Sequence, residues 1–259
     1  MSLVSANGGY IGANVEYFAR YSRIQSYSFI SSSSGVNANS LVVPADAQAG
    51  DIAILVDSVN SASANIAAPS TWRAVAQGIA AAGNLGMTTS IKLLTSSDPS
   101  ATVSSPDTTT TDHFMLCAIF RPSAGSKIFS LHGDFPETSV STGAPALVTA
   151  QLINIPQPSM GFVIFAQRGS NNVTYNINTT PTADGNINCL DEASRSVIRI
   201  YYKLIGINDT GVVNMTGRLN DAGVQGNQAF CLYPDSSFDV DTTRYNSGIF
   251  RLDATMERT

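Results

Sequence analysis

Charge is scarce in this chain. Lys, Arg, Asp and Glu together make up 13% of its 259 residues, about half the usual share. There is no basic run, and the formal net charge is −5. Phosphate backbones are gripped by clustered Lys and Arg, so no nucleic-acid partner is expected. Histidine is rarer still, at His113 and His132 only. No Ser lies in a G-x-S-x-G elbow, and no His, Cys or carboxylate group has zinc spacing. Glu16, Glu137, Glu192 and Glu257 stand apart, with no sign of the facing carboxylates that glycoside hydrolysis needs. Asp239-Val240-Asp241 falls short of the six or so oxygens that calcium requires. The expectation is a protein that is not an enzyme, with no catalytic residues, no metal and no cofactor. His113 stands just before an apolar run, where a capping or solvent-facing role is expected.

Cysteine is also sparse: Cys117, Cys189 and Cys231. An odd count argues against a disulfide framework. Buried free thiols acting as small hydrophobes are expected, folded in a reducing cytoplasm. No apolar stretch nears the length that crosses a bilayer, so membrane insertion is not expected. The opening MSLVSANGGY has neither the basic start nor the apolar core of a signal peptide.

What the chain does have is 43% apolar residues in short runs, set in Ser, Thr, Asn and Gly. The stretch Leu41–Val56, LVVPADAQAGDIAILV, is the organising one. A short strand enters a Pro turn, and Gly50-Asp51 then launches the unbroken run Ile52–Val56. Such a run reads as a strand buried on both faces. A looser version occurs at Leu152–Ala166, LINIPQPSMGFVIFA. Pro156 follows Pro44 by 112 residues, Lys203 follows Lys92 by 111, and Pro234 follows Pro122 by 112. The constant spacing points to an internal duplication. A repeat this long exceeds a solenoid unit, which leaves a two-sheet sandwich or two small sandwiches in tandem. The connector carries Ile128, Phe129, Leu131 and Phe135, which favours one composite domain.

The expected fold class is therefore all-β: a jelly-roll-like antiparallel β-sandwich built from two pseudo-repeated halves, with N- and C-terminal extensions. Its expected organisation is an N-terminal attachment arm over 1–36, a β-sandwich over 37–235 and a C-terminal tail over 236–259. Within the sandwich, the halves are 37–122 and 151–235 and the connector is 123–150. Tyr10, Ile11, Tyr17, Phe18 and Tyr21 are candidate assembly contacts of the arm, which the run Ser31–Ser34 with Gly35 would join flexibly to the body. Tyr27 and Phe29 fit strand alternation. The tail is expected to form either an extra edge strand or a second arm. Trp72, the single Trp, is expected as a core anchor at a strand start.

Several of these residues, taken in order, resemble a β-sandwich module of tailed-bacteriophage virion proteins. They are Leu41-Val42-Val43-Pro44, then Ala49-Gly50-Asp51-Ile52-Ala53-Ile54, then Pro69-Ser70-Thr71-Trp72, then Ile119-Phe120-Arg121. Gly9-Tyr10-Ile11-Gly12 is similar to the start of many phage tail-fibre proteins, whose N-terminal segment attaches to the particle. The sequence departs from the module at Ala45 and Ala47, and at Thr71, where Gly often precedes the Trp. The resemblance implies a non-enzymatic structural protein of a tailed-phage virion, tail-fibre or tail-associated, made in the host cytoplasm. Its partners would be other virion proteins and copies of itself in a trimer or other symmetric oligomer. Capsid decoration is the alternative. A carbohydrate- or receptor-binding module is the second alternative, with Trp72, Tyr201, Tyr202 or Tyr233 stacking on a host-surface glycan.

Overall fold

The computed structural model describes residues 27–59, 66–80, 85–122, 129–134, 140–152, 159–168, 177–180, 183–191, 196–205, 215–234 and 250–252. Regular structure among them is β-strand, with no helix. The first half of the chain forms β1 (Tyr27–Val36), β2 (Ser40–Val42), β3 (Ile52–Val59), β4 (Arg73–Ala80), β5 (Leu85–Leu93), β6 (Thr102–Ser104) and β7 (His113–Pro122). The second half forms β8 (Phe129–Asp134), β9 (Val140–Leu152), β10 (Ser159–Arg168), β11 (Ile177–Thr180), β12 (Gly185–Asp191), β13 (Ser196–Ile205), β14 (Met215–Pro234) and β15 (Phe250–Leu252).

Each half keeps its large sheet to itself. The first sheet runs β1-β7-β3-β5-β4, and the second β12-β13-β10-β14-β8-β15. All pairings are antiparallel. In a jelly roll, successive strands pass between two sheets; here they do not, so that detail of the expected fold is replaced by one sheet per half. Read from the other edge, the second sheet repeats the first: β8-β14-β10-β13-β12 stands for β1-β7-β3-β5-β4. The registers agree as well. Ile52 lies between Leu93 and Phe120, and Met160 lies between Leu204 and Leu232. Leu93 to Leu204 and Phe120 to Leu232 keep the offsets of 111 and 112 seen in the sequence.

The repeats extend further than expected. Tyr27 lies opposite Pro122 as Phe129 lies opposite Pro234. Strand β1 therefore belongs to the first repeat, and an arm boundary at residue 36 is too late. The Ser31–Ser34 run is no flexible break either. It pairs with Leu116–Ile119 after a bulge between Phe29 and Ser31, and Ser33 Oγ donates to the Val42 carbonyl at 2.6 Å. The Ser run misled because small polar residues also suit the exposed edge of a sheet. The connector over 123–150 likewise contributes β8 and most of β9 to the second sheet. The tail contributes β15, an edge strand on β8.

The sheets meet face to face along alternate residues. Ile52, Ile54 and Val56 of β3, with Leu116, Ala118 and Phe120 of β7, share one buried cluster with Phe162, Ile164 and Ala166 of β10, Ile198 and Ile200 of β13, and Phe230 and Leu232 of β14. Strand β7 lies against β12 and β13, while β14 lies against β4 and β5. These are the same neighbours with the halves exchanged, which is the reciprocity of a two-fold interface. Within it the halves have diverged in size. Ile54, Ile91 and Ala118 share a rung in the first sheet; Phe162, Tyr202 and Phe230 hold its equivalent. Phe120 stands edge-on to Phe162 and Tyr202, with centroids 5.1 and 5.2 Å away, and Phe162 stacks on Phe230 at 5.1 Å.

The outward side of the first sheet is also buried, which explains the unbroken apolar runs of β3 and β7. Ala53, Leu55, Met115, Cys117 and Ile119 pack under Leu41, Val43, Ala47, Trp72, Leu94 and Val103. The short β2–β6 ladder is part of this third layer.

Phe120→Ala and Phe162→Ala should each destabilise the fold by about 3–5 kcal/mol. Because the two rings touch, the double variant should lose less than the sum of the single losses. Urea denaturation midpoints measure both. Losses under about 1 kcal/mol would mean that the rings do not join the sheets.

Candidate functional site

The residues of the sequence motif converge on one end of the first sheet's outer layer. Gly50 has φ 90°, a left-handed conformation that glycine adopts without a Cβ penalty. It lets the chain turn from the Pro44 loop into β3, where Gly50 N–H donates to the Leu94 carbonyl at 2.8 Å. The next residue, Asp51, is buried. Its two carboxylate oxygens accept from Arg121 Nε and Nη2, both at 2.8 Å, a bidentate pair of the stronger kind. Asp51 Oδ2 also accepts from Gln48 N–H at 2.8 Å, and Arg121 Nη2 reaches the Asp46 carbonyl at 3.2 Å. Ser31 Oγ of β1 donates to Asp46 Oδ1 at 2.6 Å. The Gly-Asp start and the Arg at the end of the apolar strand are thus two sides of one clamp, which ties the 44–51 loop to β7 and β1.

The Pro-x-x-Trp segment forms a turn in which Trp72 N–H donates to the Pro69 carbonyl at 3.0 Å. Thr71 stands there at φ 68°, a conformation that costs a β-branched residue about 1–2 kcal/mol. The turn keeps the shape that suits Gly despite its Thr. Trp72 is 9% exposed and packs with Leu55, Met115 and Leu94 in the outer cluster. Lys92 Nζ crosses to Thr71 Oγ1 at 3.1 Å and to Asp98 Oδ1 at 2.5 Å. Burial pulls the Asp98 carboxyl up, but Lys92 and the Thr95 N–H and hydroxyl outweigh it and hold it below the usual range. In the second repeat Lys203, the counterpart of Lys92, pairs instead with Asp184 at 3.3 Å.

His113 is buried, not capping a strand in solvent. Its Nδ1 lies 2.5 Å from the Thr109 carbonyl and its Nε2 lies 2.6 Å from Asp57 Oδ1. The Thr109 carbonyl and an ionised Asp57 both offer acceptors, an arrangement that favours a proton on each ring nitrogen. Burial works against that charge, but the Asp57 hydrogen bond and charge, with the Thr109 carbonyl, overcome it and raise the imidazole above its usual value. The His113 ring and the Asp57 carboxylate are both shut off from solvent. The pair holds the 105–112 segment against the sheet and offers no accessible base. Sequence reading missed it, although the signal was present: Asp57 and His113 each interrupt or border an apolar run.

Other candidates lie elsewhere. Tyr10, Ile11, Tyr17, Phe18 and Tyr21 fall outside the described residues, as does the Asp239–Asp241 pair. His132 lies opposite Cys231 in the ladder. Tyr201 is buried. Tyr202 is half-buried against Phe120 and Phe29, so with Trp72 these rings form no exposed stacking platform. Cys117, Cys189 and Cys231 are buried, and burial pushes the Cys117 thiol up to about 12. Among the described residues no group of three or more His, Cys, Asp or Glu could hold a metal ion, and no helix is long and apolar enough to cross a membrane. No family model, curated protein or solved structure matches the chain.

Two outcomes follow from this layer. The His113 pair stabilises the fold fully below the unfolded imidazole value, near 6.5, and that stabilisation is lost as pH rises through the higher folded value. Unfolding free energy should therefore fall with rising pH above about 6.5. His113→Asn should remove that slope and cost about 3–5 kcal/mol at pH 6, because Asp57 is left buried without its cation. Denaturant titrations across pH would show it; an unchanged slope in the variant would contradict it. Thr71→Gly should raise stability by about 1 kcal/mol by relieving the left-handed strain, seen as a higher thermal midpoint. A lower midpoint would mean that the Lys92 contact outweighs the strain.

Proposed function

We propose that the protein is a non-enzymatic structural component of a tailed-phage virion, tail-associated and attached through its N-terminal segment. The observation that carries this reading is the Asp51–Arg121 clamp. Residues that resemble the virion module only as an ordered list are the ones that close the 44–51 loop over β7. The polar chemistry at this end goes into holding loops down, and the buried His113–Asp57 pair does the same.

Attachment would then rest on the N-terminal segment. Its Tyr10, Ile11, Tyr17, Phe18 and Tyr21 would bury against neighbouring subunits. Each well-buried aromatic contributes about 1.5–3 kcal/mol, less the entropy of ordering the segment. Repetition around a symmetric particle strengthens such contacts. Capsid decoration is the competing location, and counting copies per particle separates the two: dozens or fewer on a tail, hundreds on a capsid.

The structure decides where a test deletion must stop. Removing residues 1–26 spares β1 and should leave a folded protein that no longer joins particles, read by particle purification and immunoblot. Removing 1–36 should also lower the thermal midpoint, since β1 is lost from the first sheet. Undiminished incorporation of the 1–26 deletion would overturn attachment through this segment.

A further inference from the structure

Five strands of the second sheet match the five of the first, so a difference between the matched edges is informative. In the second sheet the outer edge of β8 carries β15: Leu252 lies opposite Phe129, Arg251 opposite Ser130 and Phe250 opposite Leu131. The counterpart of β8 is β1, and the matching positions are Tyr27, Ser28 and Phe29, set against Pro122, Arg121 and Phe120. Phe-Ser-Leu in one edge is Tyr-Ser-Phe in the other. On β1, however, no described strand occupies the outer side.

A second observation falls on the same stretch. Phe29, at the centre of the proposed contact, is one of three large hydrophobic side chains exposed among the described residues, at 36%. An edge strand presents unpaired N–H and C=O groups, and apolar side chains beside them suit an added strand.

We propose that the outer edge of β1 accepts the C-terminal strand Phe250–Leu252 of a second copy of this chain. The antiparallel register would repeat that on β8, with Leu252 opposite Tyr27 and Phe250 opposite Phe29. The contact is heterologous, because the donor strand and the acceptor edge are different surfaces. Repeated from copy to copy, it closes into a ring or runs on as a filament. A tail that moves from its own β8 to a neighbour's β1 exchanges three paired residues for three, so local concentration decides between the two states. Dilute protein keeps its tail at home, and crowded protein on a growing assembly shares it. The inference does not depend on a virion location.

The test uses the full chain and a synthetic peptide of residues 246–256. In excess, the peptide should bind once per chain and slow amide hydrogen exchange across 27–36. A peptide with Phe250→Asp and Leu252→Asp should not bind. A chain ending at residue 246 should bind two peptides, protecting both 27–36 and 129–134. Absence of binding to the full chain would overturn the proposal. So would protection confined to 129–134, which would mean that the peptide only displaces the chain's own tail. The full-chain titration decides the matter even if the shortened chain fails to fold.

Discussion

Phe120, Phe162, Tyr202 and Phe230 stand where the two halves of the chain meet, and the rest of the molecule is arranged around that contact. An antiparallel sheet with one apolar row must bury it against something. Here each half supplies the cover for the other. The bulky rung Phe162-Tyr202-Phe230 and the smaller rung Ile54-Ile91-Ala118 hold equivalent places in the two sheets. A strict copy would place equal side chains at both. Divergence in size lets the faces interlock at interior density, and it makes the halves complementary instead of interchangeable.

The outer layers show what divergence did away from the shared face. The first repeat carries a third layer made of the 44–51 loop, the β2–β6 ladder and Trp72. It is fastened by Asp51 to Arg121, Lys92 to Asp98 and His113 to Asp57. The second repeat spends its extra residues differently. Strand β14 is twice as long as β7, at 20 residues against 10. Its first half pairs with β9 and β11 instead of with β10. One repeat has thickened and the other has lengthened. The position of Trp72 shows the same split, because Asp184 precedes β12 where Trp72 precedes β4.

Much of this was legible along the chain, and the reasons are physical. A run such as Ile52–Val56 flanked by turn residues has few structural solutions, and burial on both faces is the one found. The spacing of Lys92 and Lys203 survived because both stand on the strand next to the central one. The boundary errors have a common cause. Strand β1 is Ser-rich and only partly covered, so its alternation is weak and it reads as a linker. The apolar residues of strand β8 stand out along the chain but were assigned to a connector, since nothing local says which partner a short strand will find. Asp57 and His113 each mark an apolar run, but their pairing was not legible for a related reason: the two residues are 56 positions apart.

By itself, then, the order of residues determined the all-β class, the two-fold repetition and the low-charge composition. These follow from local periodicity and composition, which act over a few residues at a time. Only the tertiary structure decided that each half closes its own sheet, that β1 and β8 are counterparts, and that His113 is buried against Asp57. Pairing partners, edges and burial are relations between distant segments, and their energies exist only once the segments have met.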